Sequence, residues 1–248
     1  MLTVVLPAYN ESVGLDALLV DIAGAVGQTG PYEILVVDDG STDETSYIAR
    51  RAAHRFPVRV LSHPINRGYG RALQTGLLEA LRNGGTVVTL DADGTHDPAL
   101  IASMLVKIED GYDLVIASRF RPGGAEIGVP WKRRLLSHSA SLIFRSTLSI
   151  GGVRDFTSGY RAYRSSLLER MIMARGEGAF LSSANFAAGF ELLLDAAALG
   201  APVAEVPLVL HYDRKLSASK MRVTRDLPPY FSLLVGHHFR ARPVKGRP

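Results

Sequence analysis

The chain has 248 residues, 47% of them apolar, no cysteine and a formal charge of only +4. That apolar share supports one large domain with a buried core and excludes a disordered chain, and the lack of cysteine excludes disulfides, zinc–thiolate sites and a thiol nucleophile. No window of about 18 uncharged apolar residues occurs, and the most apolar stretch, Phe186 to Leu210, is interrupted by Glu191, Asp195, Gly200, Pro202, Glu205 and Pro207, so no transmembrane helix is expected.

Strand-like residues begin at Leu2, so no secretory leader is expected and the protein is assigned to the cytoplasm. Leu2 to Leu6 is a β-type run closed by Pro7, and Val13 to Val26 spaces Val13, Ala17, Leu18 and Ile22 as one helix face. Tyr32 to Val37 is a continuous apolar run, as in a strand covered on both sides. It ends in Asp38-Asp39-Gly40-Ser41, with Ser41 or Thr42 suited to cap a helix over Glu44 to Arg55. Val58 to Leu61 reads as a third strand. Asn66 to Gly76 is glycine-punctuated and runs into a helix ending near Arg82. Thr86 to Leu90 and Leu114 to Ser118 are strands four and five, with a helix over Ala99 to Glu109 between them. This β-α-β-α order with short links predicts an α/β fold around a mainly parallel, Rossmann-like sheet with helices on both faces.

After Ser118 the pattern loosens. Arg121 to Gly128 is Pro/Gly-rich and is expected to be a mobile loop, Trp131 to Leu148 a helix, and Gly151 to Arg164 loop plus strand. Glu191 to Leu199 reads as a helix stopped by Gly200, Val203 to Val206 and Leu208 to Tyr212 as strands, and Leu227 to Phe239 as an apolar segment. The expected division is a catalytic domain over 1–225, whose later part elaborates the acceptor side, and an amphipathic segment with a basic tail over 226–248.

The sharpest site is the strand end Thr86 to Pro98, TVVTLDADGTHDP. Two carboxylates one residue apart, Asp91 and Asp93, are costly at the end of a buried strand without a cation or polar ligand. They lie where open α/β sheets bind ligands. Asp97-Pro98 supplies a helix start, which leaves Asp91 and Asp93 for Mg2+ or Mn2+ on a diphosphate, with the Thr95 hydroxyl within reach. Pro7 to Glu11 and Asp38-Asp39 add polar loops on the same rim; Tyr9 suits base stacking, whereas the acid pair serves equally as a helix cap. Arg119 follows strand five. Lys132, Arg133 and Arg134 open a helix, and Arg214 and Lys220 follow the last strand. Cations around an acidic site suit substrates carrying several phosphates. The basic C-terminal third, with Lys215, Arg222, Arg225, Arg240, Arg242, Lys245 and Arg247, points to a phosphate or an anionic surface.

Taken together, PAYNE (Pro7 to Glu11), VDDGSTDET (Val37 to Thr45), NRGYGRALQTG (Asn66 to Gly76), DADGTHDP (Asp91 to Pro98), ASRF (Ala117 to Phe120), KRRLLS (Lys132 to Ser137), DFTSGYRAY (Asp155 to Tyr163) and DRKLSASK (Asp213 to Lys220) resemble the family-2 glycosyltransferases of GT-A fold. The likeness is strongest to the polyprenol- or dolichol-phosphate mannosyltransferase group and runs from Leu2 to about Met221. It implies that Pro7, Tyr9, Glu11, Val36 and Asp38 line the nucleotide. It also implies that Asp91, Ala92 and Asp93 form the DXD element holding sugar-diphosphate and metal, with Thr95 near the metal. Arg119, Arg133, Arg214 and Lys220 would hold the pyrophosphate and the acceptor phosphate.

The implied reaction is inverting, metal-dependent transfer of a hexose, mannose or glucose, from a GDP- or UDP-sugar to a polyprenyl phosphate. The alternative is a soluble family-2 enzyme acting on a hydroxyl, for which Asp155 or Glu191 would be the suspected base. Membrane contact is expected to be at most peripheral, at the cytoplasmic membrane face or through a membrane-embedded partner, and no nucleic-acid partner is expected.

Overall fold

The computed structural model describes residues 1–148, 150–176, 180–217, 220 and 227–240, the last five of these without side chains. Arg222, Arg225, Arg242, Lys245, Arg247, Ser219 and the expected boundary at 225/226 lie outside the described residues.

The central sheet has seven strands in the order β3-β2-β1-β4-β7-β5-β8: β1 (Leu2–Ala8), β2 (Tyr32–Asp38), β3 (Val58–Ser62), β4 (Thr86–Thr89), β5 (Leu114–Ser118), β7 (Arg161–Arg164) and β8 (Val203–Pro207). All neighbours run parallel except β7, which is antiparallel to both β4 and β5. The expected α/β fold around a mainly parallel sheet is therefore the observed one.

Alternation along the buried strands feeds two cores. Val5, Leu35, Val37, Val87, Leu114 and Ile116 face one side. There they meet α3 (Tyr69–Ala80), α5 (Trp131–Thr147), α6 (Ser165–Arg175), α7 (Ala187–Ala198) and Tyr230 of α8 (Pro228–Arg240). Val4, Leu6, Ile34, Val36, Val88, Val115 and Ala117 face the other, against α1 (Leu15–Val26), α2 (Thr45–Ala52) and α4 (Leu100–Glu109).

Strands β1, β2, β4 and β5 all end at one edge of the sheet. Because β7 runs the other way, its first residue, Arg161, pairs with Thr89 and Ile116, so the Asp155 to Tyr160 loop enters the sheet at that same edge. Arg161 is fully buried and donates to the carbonyls of Ser158, Phe156 and Gly189, which ties this loop to α7.

Two segments differ from expectation. Arg121 to Gly128 is not simply a loop: it holds β6 (Ala125–Ile127), which pairs in parallel with β9 (Val209–His211) as a second small sheet. Its Gly and Pro residues mark the turns at either end, and only a partner from the far C-terminal region makes the middle a strand. Helix α6 is not apparent from local pattern, since it buries only Leu167, Leu168 and Met171.

Candidate active site

At the carboxyl edge lies a cavity of about 890 Å³. Its lining includes Pro7, Tyr9, Glu11, Asp91, Ala92, Asp93 and Thr95, and the apolar side chains of Val129, Leu136, Ala140, Phe144, Leu227 and Tyr230. Arg119, Arg133, Lys215 and Lys220 also line it.

The loops after β1 and β2 are stitched together. Asn10 adopts φ 52°, a left-handed backbone that asparagine tolerates. Its backbone N–H donates to Ser41 Oγ at 2.9 Å and its side-chain oxygen accepts from the Thr42 N–H at 2.8 Å. The Glu11 N–H donates to Thr45 Oγ1 at 2.8 Å. These bonds hold Tyr9 and Glu11 against the cavity.

Of the two acids ending β2, it is Asp39, not Asp38, that lines the cavity. Its carboxylate accepts from the N–H groups of Arg67 (3.0 Å) and Gly68 (2.8 Å) and lies 2.6 Å from His63 Nδ1. It thereby fixes the glycine-rich loop before α3. Asp38 instead accepts from the Ser41 N–H at 3.0 Å and caps its own turn. Val36 is wholly buried in the core and does not reach the cavity.

In the Asp91–Asp93 loop, the Asp93 carboxylate accepts from the N–H (3.1 Å) and hydroxyl (2.7 Å) of Thr95 and, on its other oxygen, from the ammonium of Lys215. Burial pushes Asp91 above the usual carboxylate range, and the neighbouring Asp93 charge adds to this. Burial acts on Asp93 in the same direction, but Lys215 and the Thr95 hydrogen bonds outweigh it and hold Asp93 below that range. As expected, Asp97 serves the helix, its carboxylate accepting from the Ala99 N–H at 3.0 Å. A Cβ on Gly159 would sit 3.0 Å from Tyr69 Oη and 3.3 Å from Asp91 Oδ1, so the β7 entry loop packs closely on the acid.

Two carboxylates and a hydroxyl suit a hard divalent cation, and the Lys215 ammonium already stands on one of them as a cation would. Among the described residues no cluster of three or more His, Asp or Glu side chains could cage an ion. Asp91, Asp93 and Thr95 could thus supply only part of a coordination shell, and an ion held there would take its other oxygens from ligand and water.

The cations divide by engagement. Arg119 is clamped by Asp155, Glu126 and Thr157, with Nε 2.7 Å from Asp155 Oδ2 and Nη1 3.3 Å from Glu126 Oε1. Burial opposes ionisation of Asp155, but Arg119 and backbone N–H groups overcome it and hold that carboxyl low. Arg133 donates to Tyr212 Oη at 3.0 Å and lies over its ring. Lys220 lies 2.5 Å from Glu11 Oε1 and 2.8 Å from the Asn10 carbonyl. Arg214 is exposed and is not among the lining residues; its neighbour Lys215 points inward instead. The sequence marks Lys215 only as one of a basic stretch and not as a site residue, because nothing local tells whether Arg214, which ends the 3-10 turn, or Lys215, which follows it, faces the cavity.

Glu191 is fully buried. It accepts from the Ser182 hydroxyl at 2.8 Å and the Ser183 N–H at 3.0 Å, and pairs with Arg175 at 2.5 Å. It holds the loop whose Ala184, Asn185 and Phe186 cover the cavity. Gly70 lies under that loop: a Cβ there would be 2.0 Å from the Ser183 carbonyl oxygen.

Comparison with known proteins agrees with this geometry. The family description "Glycosyl transferase family 2" matches residues 3–172. The chain is 36% identical over 221 residues to the polyprenol monophosphomannose synthase of Mycolicibacterium smegmatis, covering 88% of this chain and 80% of that protein. It is 34% identical to the undecaprenyl-phosphate mannosyltransferase of Micrococcus luteus, covering 88% and 86%. It is 35% identical to the dolichol-phosphate mannosyltransferase of Pyrococcus furiosus over 67% of this chain, but spans only 47% of that relative. Among solved structures, glucosyl-3-phosphoglycerate synthase from Mycobacterium tuberculosis, with Mn2+, UDP-glucose and phosphoglyceric acid, superposes with a TM-score of 0.73 at 22% identity, covering 99% of this chain and 82% of that one, a likeness of fold. With motif spacing, sheet order and sequence matches in agreement, the chain belongs to glycosyl transferase family 2 and is a glycosyltransferase.

Proposed function

We propose that the protein transfers a hexose from a nucleoside-diphosphate sugar to a polyprenyl phosphate, with inversion at the anomeric carbon. The observation that carries this reading is the cavity itself. Its lining combines the carboxylates Glu11, Asp91 and Asp93 with apolar side chains of α5 (Leu136, Ala140, Phe144) and Tyr230 of α8, and Arg133, Lys215 and Lys220 also border it. A donor that is polar throughout has no use for those apolar side chains; a prenyl chain has. The relatives named for polyprenol and undecaprenyl phosphate point to the same acceptor.

In this reading Pro7, Tyr9 and Glu11 hold the nucleoside. Asp91, Asp93 and Thr95 hold Mg2+ or Mn2+, and the chemistry that ion supplies is neutralisation of the leaving diphosphate. Lys220 and Lys215 bring positive charge to the same oxygens as negative charge develops there. Arg133 orients the acceptor phosphate. An oxygen of that phosphate forms the new bond to the anomeric carbon while the bond to the diphosphate breaks, and the nucleoside diphosphate departs. A phosphate is ionised at neutral pH, so no general base is needed. Asp155 and Glu191, the carboxylates a hydroxyl acceptor would require, are both tied into ion pairs. Arg119, with its fork already filled, acts in this reading by fixing the β7 entry loop.

Among the described residues no helix is long and apolar enough to cross a membrane. Trp131 (70% exposed), Leu135 (61%) and Leu142 (68%) lie along α5 at helical spacing, with Lys132 and Arg145 on the same helix, and Val235 is exposed on α8. Such a surface suits peripheral binding to the bilayer that carries the acceptor.

The deciding experiment incubates the protein and Mn2+ or Mg2+ with radiolabelled GDP- and UDP-hexoses and a polyprenyl phosphate, then extracts into organic solvent. Label in the organic phase, released by mild acid, is the expected result. Label transferred only to water-soluble acceptors overturns the lipid acceptor.

A further inference from the structure

Two lysines that follow β9 close on the polar end of the cavity, Lys215 on Asp93 and Lys220 on Glu11. The Lys215 contact is built rather than incidental. The His211 N–H donates to the Thr95 carbonyl at 3.0 Å, so β9 is bonded to the Asp91–Asp93 loop just before the chain turns through Tyr212. Lys215 caps that turn, its N–H donating to the Tyr212 carbonyl at 3.2 Å, and its side chain is only 10% exposed. The ammonium lies 6.0 Å from the centre of the Tyr212 ring. One anchored ammonium thus stands on Asp93, two residues from Asp91, at a locus that offers a metal only part of a shell.

The geometry points to Lys215 as an internal cation that holds the metal position of Asp91 and Asp93 while the donor is absent, so that a divalent ion binds tightly only together with a nucleoside diphosphate. A bare ion must displace a buried, partnered ammonium and then find most of its ligands in water. A diphosphate changes both terms: its oxygens complete the shell of the ion, and its charge gives the displaced ammonium a new partner. Lys215 is therefore a positioning residue that makes metal and donor binding mutually dependent. The inference rests on the reading of Asp91 and Asp93 as the metal ligands.

The test is Mn2+ retained with the intact chain in equilibrium dialysis, without nucleotide and with saturating UDP or GDP in parallel, Mn2+ held by the same nucleotide without protein being subtracted. In the wild type, nucleotide is expected to tighten Mn2+ binding by about tenfold or more. Lys215→Met, which keeps the apolar stem, is expected to tighten binding of Mn2+ alone by about tenfold and so to shrink the nucleotide dependence without abolishing it, because the diphosphate oxygens still complete the shell. Lys215→Arg, which keeps the charge, is expected to behave as the wild type. Unchanged affinity for Mn2+ alone in Lys215→Met overturns the role of Lys215. Asp93→Asn separates this from failure of the site itself. Mn2+ binding with nucleotide that survives Asp93→Asn overturns the metal reading and the role of Lys215 with it. Loss of that binding upholds the metal site, and Lys215→Met then decides the role of the lysine alone.

Discussion

Arg119 and Asp155 meet through two parallel hydrogen bonds, Nε to Oδ2 at 2.7 Å and Nη2 to Oδ1 at 2.8 Å, with the aspartate side chain wholly buried. Removing one partner strands the other charge. Asp155→Asn is expected to lower unfolding free energy by about 3–5 kcal/mol, measured by urea denaturation. Because Asp155 titrates below its unfolded value, near 3.9, its contribution is present above that pH and is lost as pH falls through the folded value. The stability gap between wild type and Asp155→Asn should be flat from about pH 5 to 8 and shrink below about pH 4.

Asp93 carries the metal reading most directly. Asp93→Ala is expected to cut metal-dependent transfer by at least about 100-fold, and EDTA should do the same to the wild type. Undiminished turnover in EDTA would remove the metal from the scheme.

Glu191 is bonded to the loop over the cavity, and the proposed reaction gives it no role as a base. Glu191→Gln weakens its bonds to Ser182, Ser183 and Arg175. The expected loss is about 3 kcal/mol of stability, with a raised acceptor KM and a pH profile of kcat that does not move. A shifted profile would restore the base.

Gly70 leaves no room for a methyl group beneath Ser183. Gly70→Ala is expected to cost about 1–3 kcal/mol by overpacking and to loosen the loop carrying Phe186, readable as a lower Tm and faster proteolysis near that loop.

The α5 surface is tested by charge. Trp131→Glu combined with Leu142→Glu should abolish flotation with anionic vesicles while leaving Tm within a few degrees, since both side chains are exposed. Equal flotation would place the membrane surface elsewhere.

Much of this protein was legible in one dimension. Continuous apolar runs such as Tyr32 to Val37 and Leu114 to Ser118, each ending in polar loop residues, determined a parallel sheet with a ligand edge, because burial on both faces leaves no other composition for such strands. Motif spacing determined the family, and the doublet Asp91 and Asp93 marked the strand end where a cation or polar ligand is expected, because paired acids there are costly without one.

What the sequence left open depended on partners far away in the chain. The strand over Ala125–Ile127 exists through β9, more than 80 residues on. Asp39 rather than Asp38 faces the cavity, although the two are neighbours. Lys215 rather than Arg214 reaches Asp93, 122 residues away. Pattern and composition report what a residue buries on average over an element, whereas the direction of one side chain at a turn is decided by the packing of segments that meet only after the chain has folded.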